Sequence, residues 1–93
     1  MKSIISNQKQ CFFCGSTYNI HKHHIYGGGN RQVSEDNGFW VYLCQRHHTY
    51  TNYSVHGDPE HKSDLMLKKI CQTIYENKHT REEFIRLIGK SYL

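Results

Sequence analysis

The sequence predicts a small α+β domain, and three observations carry that expectation. Residues 18–26 and 39–43 are β-branched and aromatic runs that read as two short strands. A Cys11-x-x-Cys14 pair precedes the first and a Cys44-x-x-His47 pair closes the second, so two sets of metal-type side chains flank a hairpin. The last third of the chain holds two amphipathic segments that read as helices.

Length and composition narrow the class. A chain of 93 residues makes one domain with a limited apolar core, which a structural metal would help to stabilise. Residues 1–10 read as a flexible, frayed lead-in and residues 11–93 as the domain itself. Hydrophobic residues make up 37% and mean hydropathy is -0.78, the profile of a soluble, polar domain. No apolar run reaches membrane length and no signal-peptide core opens the chain, so the expected compartment is the cytoplasm, with no membrane partner. Thiols stay reduced there, which favours metal over disulfide for the cysteines. Twelve Lys and Arg against eight Asp and Glu give a net charge of +4, compatible with a polyanionic partner.

In chain order, the Cys-x-x-Cys pair is followed by Gly15, as in a zinc knuckle that turns its backbone toward the metal. A thioredoxin-type redox pair would instead need a helix opening from the motif inside a βαβ unit, and Ser16-Thr17-Tyr18-Asn19 reads as turn and strand. Along an extended strand neighbours face opposite ways, so His23 and His24 should serve different ends. Gly27-Gly28-Gly29-Asn30-Arg31 is too glycine-rich for regular structure. It reads either as a flexible turn or as backbone that approaches a phosphate, with Arg31 as a forked donor. No Gly-Lys-Ser/Thr and no helix signal follow, which excludes a nucleotide P-loop. Ser34-Glu35-Asp36-Asn37-Gly38 reads as turn chemistry.

Cys11, Cys14, Cys44 and His47 make a Cys3His set for a structural Zn2+. His48 is then surplus. If a helical turn begins there, Asn52 falls one turn on and shares its face; His56 reaches the same face only by a further turn or a loop that folds back. A second ion can thus be assembled from His23, His48 and either Asn52 or His56. Further on, Ser63 reads as the N-cap of a helix with Leu67, Ile70, Cys71 and Ile74 on one stripe, which makes Cys71 a core residue. Thr80-Arg81-Glu82-Glu83 is a capping box opening a last helix, with Phe84, Leu87 and Ile88 inward and Gly89 as its stop. The basic residues of these helices read as a solvated face.

The Cys-x-x-Cys, His23-His24-Ile25, the glycine-rich loop and Cys44-x-x-His47-His48 together resemble the HNH nucleases. The closer similarity is to small phage and prophage HNH proteins with a zinc-binding pair, through His23 to Gly28, Asn30-Arg31, Leu43-Cys44 and Val55-His56. The resemblance runs from Cys11 to the end of the chain. It implies a ββα-metal (His-Me finger) fold with a zinc knuckle and two C-terminal helices. It also implies endonuclease action on DNA, in phage DNA processing or recombination within the host cytoplasm, leaving 5′-phosphate and 3′-hydroxyl ends. Carried onto this chain, it makes His24 the general base and His23 and His48 ligands of one catalytic divalent cation (Mg2+, Mn2+, Ni2+ or Zn2+). Asn52 or His56 completes that set. The family's middle Asn, which braces the loop before the second strand, has Asn37 as its nearest but shifted counterpart.

The chemistry fits those residue types. An imidazole of ordinary pKa, about 6.5, suits proton abstraction from water near neutral pH, while a cation offsets charge on the phosphoryl and leaving oxygens. Arg31 is the expected phosphate clamp and catalytic contributor, with Asn30 beside it as a nucleic-acid contact. Two other classes compete: a non-catalytic zinc-stapled DNA-binding module, and a protein-interaction domain. A second copy of the chain or a targeting protein are the partners, besides DNA, that the small surface suggests.

Overall fold

The computed structural model describes residues 1–93. Its order is β1 (Ile20–His24), a short 3-10 turn (Gly28–Asn30), α1 (Arg31–Asn37), β2 (Trp40–Cys44), a π-helical turn (Arg46–Tyr50), α2 (Lys62–Tyr75) and α3 (Arg81–Ile88). β1 and β2 pair antiparallel, with Ile20 opposite Cys44 and His24 opposite Trp40. The molecule is a small α+β fold built on this two-stranded sheet.

Pleat alternation divides the sheet into two faces. His21 and His23 share a face with Leu43 and Val41, while Lys22 and His24 share the other with Tyr42 and Trp40. The first face continues through Ile25 and Phe39 into the core, where Leu67, Cys71, Phe84 and Ile88 close over it. Aromatic edges hold this core: Tyr26 packs against Phe39 and Phe84 with ring centroids 5.5 Å apart, and its hydroxyl donates to the Lys68 carbonyl at 2.7 Å. Cys71 is fully buried in that cluster, and burial pushes its thiol up to about 12, as befits a core residue.

Four local expectations are corrected. The glycine run leads into α1, so residues 34–38 form the end of a helix instead of a free turn. Gly38 ends it in the left-handed region (φ 72°), and a Cβ there would collide with the Lys2 carbonyl. That close approach belongs to the second correction: within residues 1–10, Ser3, Ile4 and Ile5 are docked on the domain. Ser3 is buried and its hydroxyl donates to the Trp40 carbonyl, the Ile4 N–H donates to the Gly38 carbonyl at 3.0 Å, and Ile4 and Ile5 pack on the core. Third, α2 begins at Lys62 with His61 at the N-cap position, and Asp58 accepts from the Lys62 N–H at 3.0 Å; Ser63 instead donates to the Tyr53 carbonyl. Fourth, Gln72, which is not among the stripe residues read from the sequence, is fully buried. Its amide donates to Ser91 and accepts from the Tyr92 N–H, docking the C-terminal residues. The α3 capping box forms as expected, Thr80 accepting from the Glu83 N–H at 3.1 Å, and Gly89 closes that helix at φ 106°. No helix is long and apolar enough to cross a membrane.

Candidate functional site

Two groups of ligand-type side chains lie on either side of the π-helical turn. The first joins Cys11, Cys14, Cys44 and His47, whose ligand atoms all fall within 4.8 Å of one another. Cys14 and Cys44 sulfurs are 3.8 Å apart, and His47 Nδ1 lies 3.2 Å from Cys44 Sγ and 3.6 Å from Cys11 Sγ. This Cys3His group could hold a structural metal such as zinc, with donors of the type and number a closed tetrahedral site needs. Burial alone would raise the Cys11 thiol, but backbone hydrogen bonds at Cys44, Cys14 and Phe13 outweigh it and set the thiol below its usual value, while the neighbouring Cys11 and Cys44 sulfurs help to push the Cys14 thiol up, as thiols crowded without a cation do. The group ties the chain before β1 to the end of β2, reinforced by the Phe12 N–H donating to the Tyr42 carbonyl at 2.9 Å.

The second group is His23, His48 and His56, again with ligand atoms within 4.8 Å. Three folding decisions bring it together. Pleat direction turns His23 inward, where it is 3% exposed. The π turn sends His48 away from the cysteines that hold its neighbour His47, and its ring stacks edge-on to His23 at 5.2 Å. The loop after it then folds back: Val55 donates to the His47 carbonyl at 2.8 Å and His56 to the His48 carbonyl at 3.1 Å. Val55 is buried as the anchor of this return. Gly57 is required beside it, since a Cβ would meet the Thr51 carbonyl and the Ser54 hydroxyl. The helical turn ends at Tyr50 and Thr51 is extended, so Asn52 is not carried onto the face of His48; it lies exposed, outside the group. Of the two alternatives for the last ligand, the fold brings in His56.

The electrostatics of this trio suit a cation. His23 Nε2 is buried without any hydrogen-bond partner. Desolvation, then the neighbouring His48 and His56, lowers the His23 pKa to about 3, and desolvation with His56 and His21 lowers that of His48 to about 4. Both rings are therefore neutral near pH 7, with lone pairs free to ligate. An orphaned buried nitrogen costs about 1–3 kcal/mol unless something fills the site, and a divalent ion fits that need. His21, one pleat before His23, has its Nδ1 3.1 Å from His48 Nδ1. Sequence reasoning passed over His21, although its i, i+2 spacing from His23 puts both on one face.

His24, on the opposite face of β1, places Nε2 3.1 Å from Glu35 of α1. The same carboxylate pairs with Lys22, which with His24 holds it below its usual value. Arg31, at the start of α1, is exposed, and it shares a cavity of about 260 Å³ with Lys22, His23, His24, His48 and His56. The expected base, ligands and arginine thus line one cleft. Asn30 is different: its amide donates to the Ile88 carbonyl at 2.8 Å, so it ties α1 to the end of α3. Asn37 donates within its own helix, to Val33. Bracing of the loop falls instead to Ser34, fully buried, which donates to the Tyr26 carbonyl at 2.7 Å and accepts from the Tyr26 N–H. Comparison with family models, with curated proteins and with solved structures gave no match for this chain.

Proposed function

We propose that the protein is a metal-dependent endonuclease of the HNH kind that hydrolyses phosphodiester bonds in DNA. The observation that carries this reading is the buried, unpartnered His23 Nε2 within the His23, His48 and His56 group, beside a cleft that also holds His24 and Arg31. His23, His48 and His56 would hold one divalent cation, which when bound supplies Lewis-acid stabilisation of charge on the phosphoryl and leaving oxygens.

His24 acts as general base, taking the proton of the attacking water at one ring nitrogen while Glu35 engages Nε2 and fixes the ring's orientation. The proton loss makes the water a competent nucleophile for in-line attack on phosphorus. Arg31, free of any carboxylate partner, binds a nonbridging phosphate oxygen and holds the scissile or neighbouring phosphate in the cleft. His21 occupies the Nδ1 side of His48 and leaves Nε2 to ligate, the outer-shell orientation that ligating histidines usually have. The Cys3His group contributes rigidity, since His47 and His48 are consecutive and fixing one fixes the other.

Nicking of supercoiled plasmid tests the proposal, with Mg2+, Mn2+ or Ni2+ added and with metal omission and His24→Ala as paired controls. Metal-dependent nicking that disappears in His24→Ala is the expected result. Absence of cleavage with every ion, on duplex and single strands alike, would turn the reading to a zinc-stapled binding module.

A further inference from the structure

The largest cavity in the molecule is not the cleft just described. It opens on the other side of the π turn and is lined in part by Cys14, Cys44 and His47 of the Cys3His group, with a volume of about 520 Å³. That is far more than one ion needs. Its rim is formed by Tyr18, Tyr50 and Tyr53, which are 77%, 74% and 50% exposed, together with Arg46, Asn19 and Gln45. Three tyrosines left open around one hollow are unusual for a small domain whose other aromatic rings mostly interlock in the core.

The chemistry of the rim selects the occupant. No Asp or Glu lines the cavity, and Arg46 has no carboxylate partner. A cationic group without a counter-ion beside exposed aromatic faces is what single-stranded nucleic acid requires: a charge for the phosphate and flat surfaces for the bases. Duplex DNA keeps its bases stacked and would leave the tyrosines idle. The Asn19 amide donates to the Gln45 side chain at 3.3 Å, which leaves the Asn19 oxygen and the Gln45 amide hydrogens for a base edge. The rim and the cleft share one turn, which carries Arg46 and Tyr50 at this cavity and His48 at the cleft.

We propose that this cavity is a binding site for unpaired nucleobases, so that the substrate strand reaches the His23, His48 and His56 cleft from a single-stranded or locally opened segment. The proposal rests on the nuclease reading for its partner, nucleic acid, and deepens it by naming the strandedness.

The test separates the two. Binding of a fluorescein-labelled 12-mer oligothymidine and of a labelled duplex is measured by anisotropy with protein carrying one equivalent of zinc and no other divalent ion, so that no cleavage is needed. The wild type should prefer the single strand. Tyr18→Ala and Tyr50→Ala, both at exposed positions, should each weaken single-strand binding on the order of tenfold, the effect of one lost base stack, while leaving duplex binding unchanged. Tyr50→Trp should restore it, and Arg46→Ala should weaken binding and flatten its salt dependence. Unchanged single-strand affinity in both Tyr variants, or an equal loss on duplex and single strand, would overturn the proposal. So would a wild-type dimer that Tyr50→Ala converts to monomer in light scattering, which would assign the patch to self-association. Binding that behaves as expected without plasmid nicking would overturn the nuclease reading and leave this site standing.

Discussion

Replacing His23 by Leu should make the protein more stable in the absence of the second metal, and useless for binding it. The ring is 3% exposed, and its Nε2 has no partner. An unsatisfied buried polar atom costs about 1–3 kcal/mol, and a Leu of similar bulk against Val41 and Leu43 removes that cost while adding apolar contact. For a domain of this size about 1 kcal/mol moves the melting temperature by roughly 4–8 °C. Acid should enlarge the difference. The folded-state pKa of His23 is about 3, below the ordinary 6.5, so the unfolded chain takes up the proton first. The stability associated with the neutral buried ring is therefore complete above pH 6.5 and drains away as pH falls from 6.5 toward 3. Between pH 7.5 and 5.5 the advantage of His23→Leu should grow by about 1 kcal/mol. Thermal melts followed by circular dichroism, on protein carrying one equivalent of zinc for the Cys3His group and no other divalent ion, would show it. A variant no more stable than wild type at either pH would mean that His23 is satisfied in the folded protein, and would remove the main physical reason for placing a cation there.

The other expectations follow from the same geometry. His56→Ala should abolish Ni2+ or Mn2+ binding in calorimetric titration, whereas Asn52→Ala, altering a residue outside the group, should leave it unchanged. His21→Ala should weaken the same binding roughly 10- to 100-fold through loss of His48 orientation, and His21→Asn, which keeps a hydrogen-bonding group, should recover part of it. Removing zinc by Cys14→Ser should lower the melting temperature and blur the near-ultraviolet spectrum of the aromatic core, because the staple between residues 11–14 and the end of β2 is lost. Thr80→Ala should cost about 1 kcal/mol in chemical denaturation by removing the cap of α3.

Much of the architecture was legible where spacing alone decides it. Cys11-x-x-Cys14 and Cys44-x-x-His47 announced their grouping because two-residue gaps bring side chains to one point in any tight turn. The opposed directions of His23 and His24 followed from the pleat, and the capping box at Thr80 from local hydrogen-bond chemistry. What escaped the sequence depended on contacts far along the chain. α1 was hidden because its residues also suit turns, and the contacts that favour the helix, Ser34 with Tyr26 and Val33 against the core, are tertiary. The choice between Asn52 and His56 turned on a loop that doubles back through Val55, a buried anchor whose partner lies in the tertiary core. The partners of Asn30 and Ser34 were hidden for the same reason. The α3 carbonyl that Asn30 ties is 58 residues away, and Ser34 meets its partner Tyr26 only because the glycine turn closes. Ser3 is short and polar, and nothing local marks it as buried against Trp40.

The central claim is that one π turn sends consecutive histidines to two separate ions, His47 to zinc and His48 to a second cation beside His24. Metal analysis by native mass spectrometry of wild type, Cys14→Ser and His48→Ala, after equilibration with Zn2+ and Ni2+, tests it most directly. The expected result is two metals in the wild type, loss of the zinc alone in Cys14→Ser that still folds, and loss of the second ion alone in His48→Ala. A single metal in the wild type, retained in His48→Ala, would contradict it.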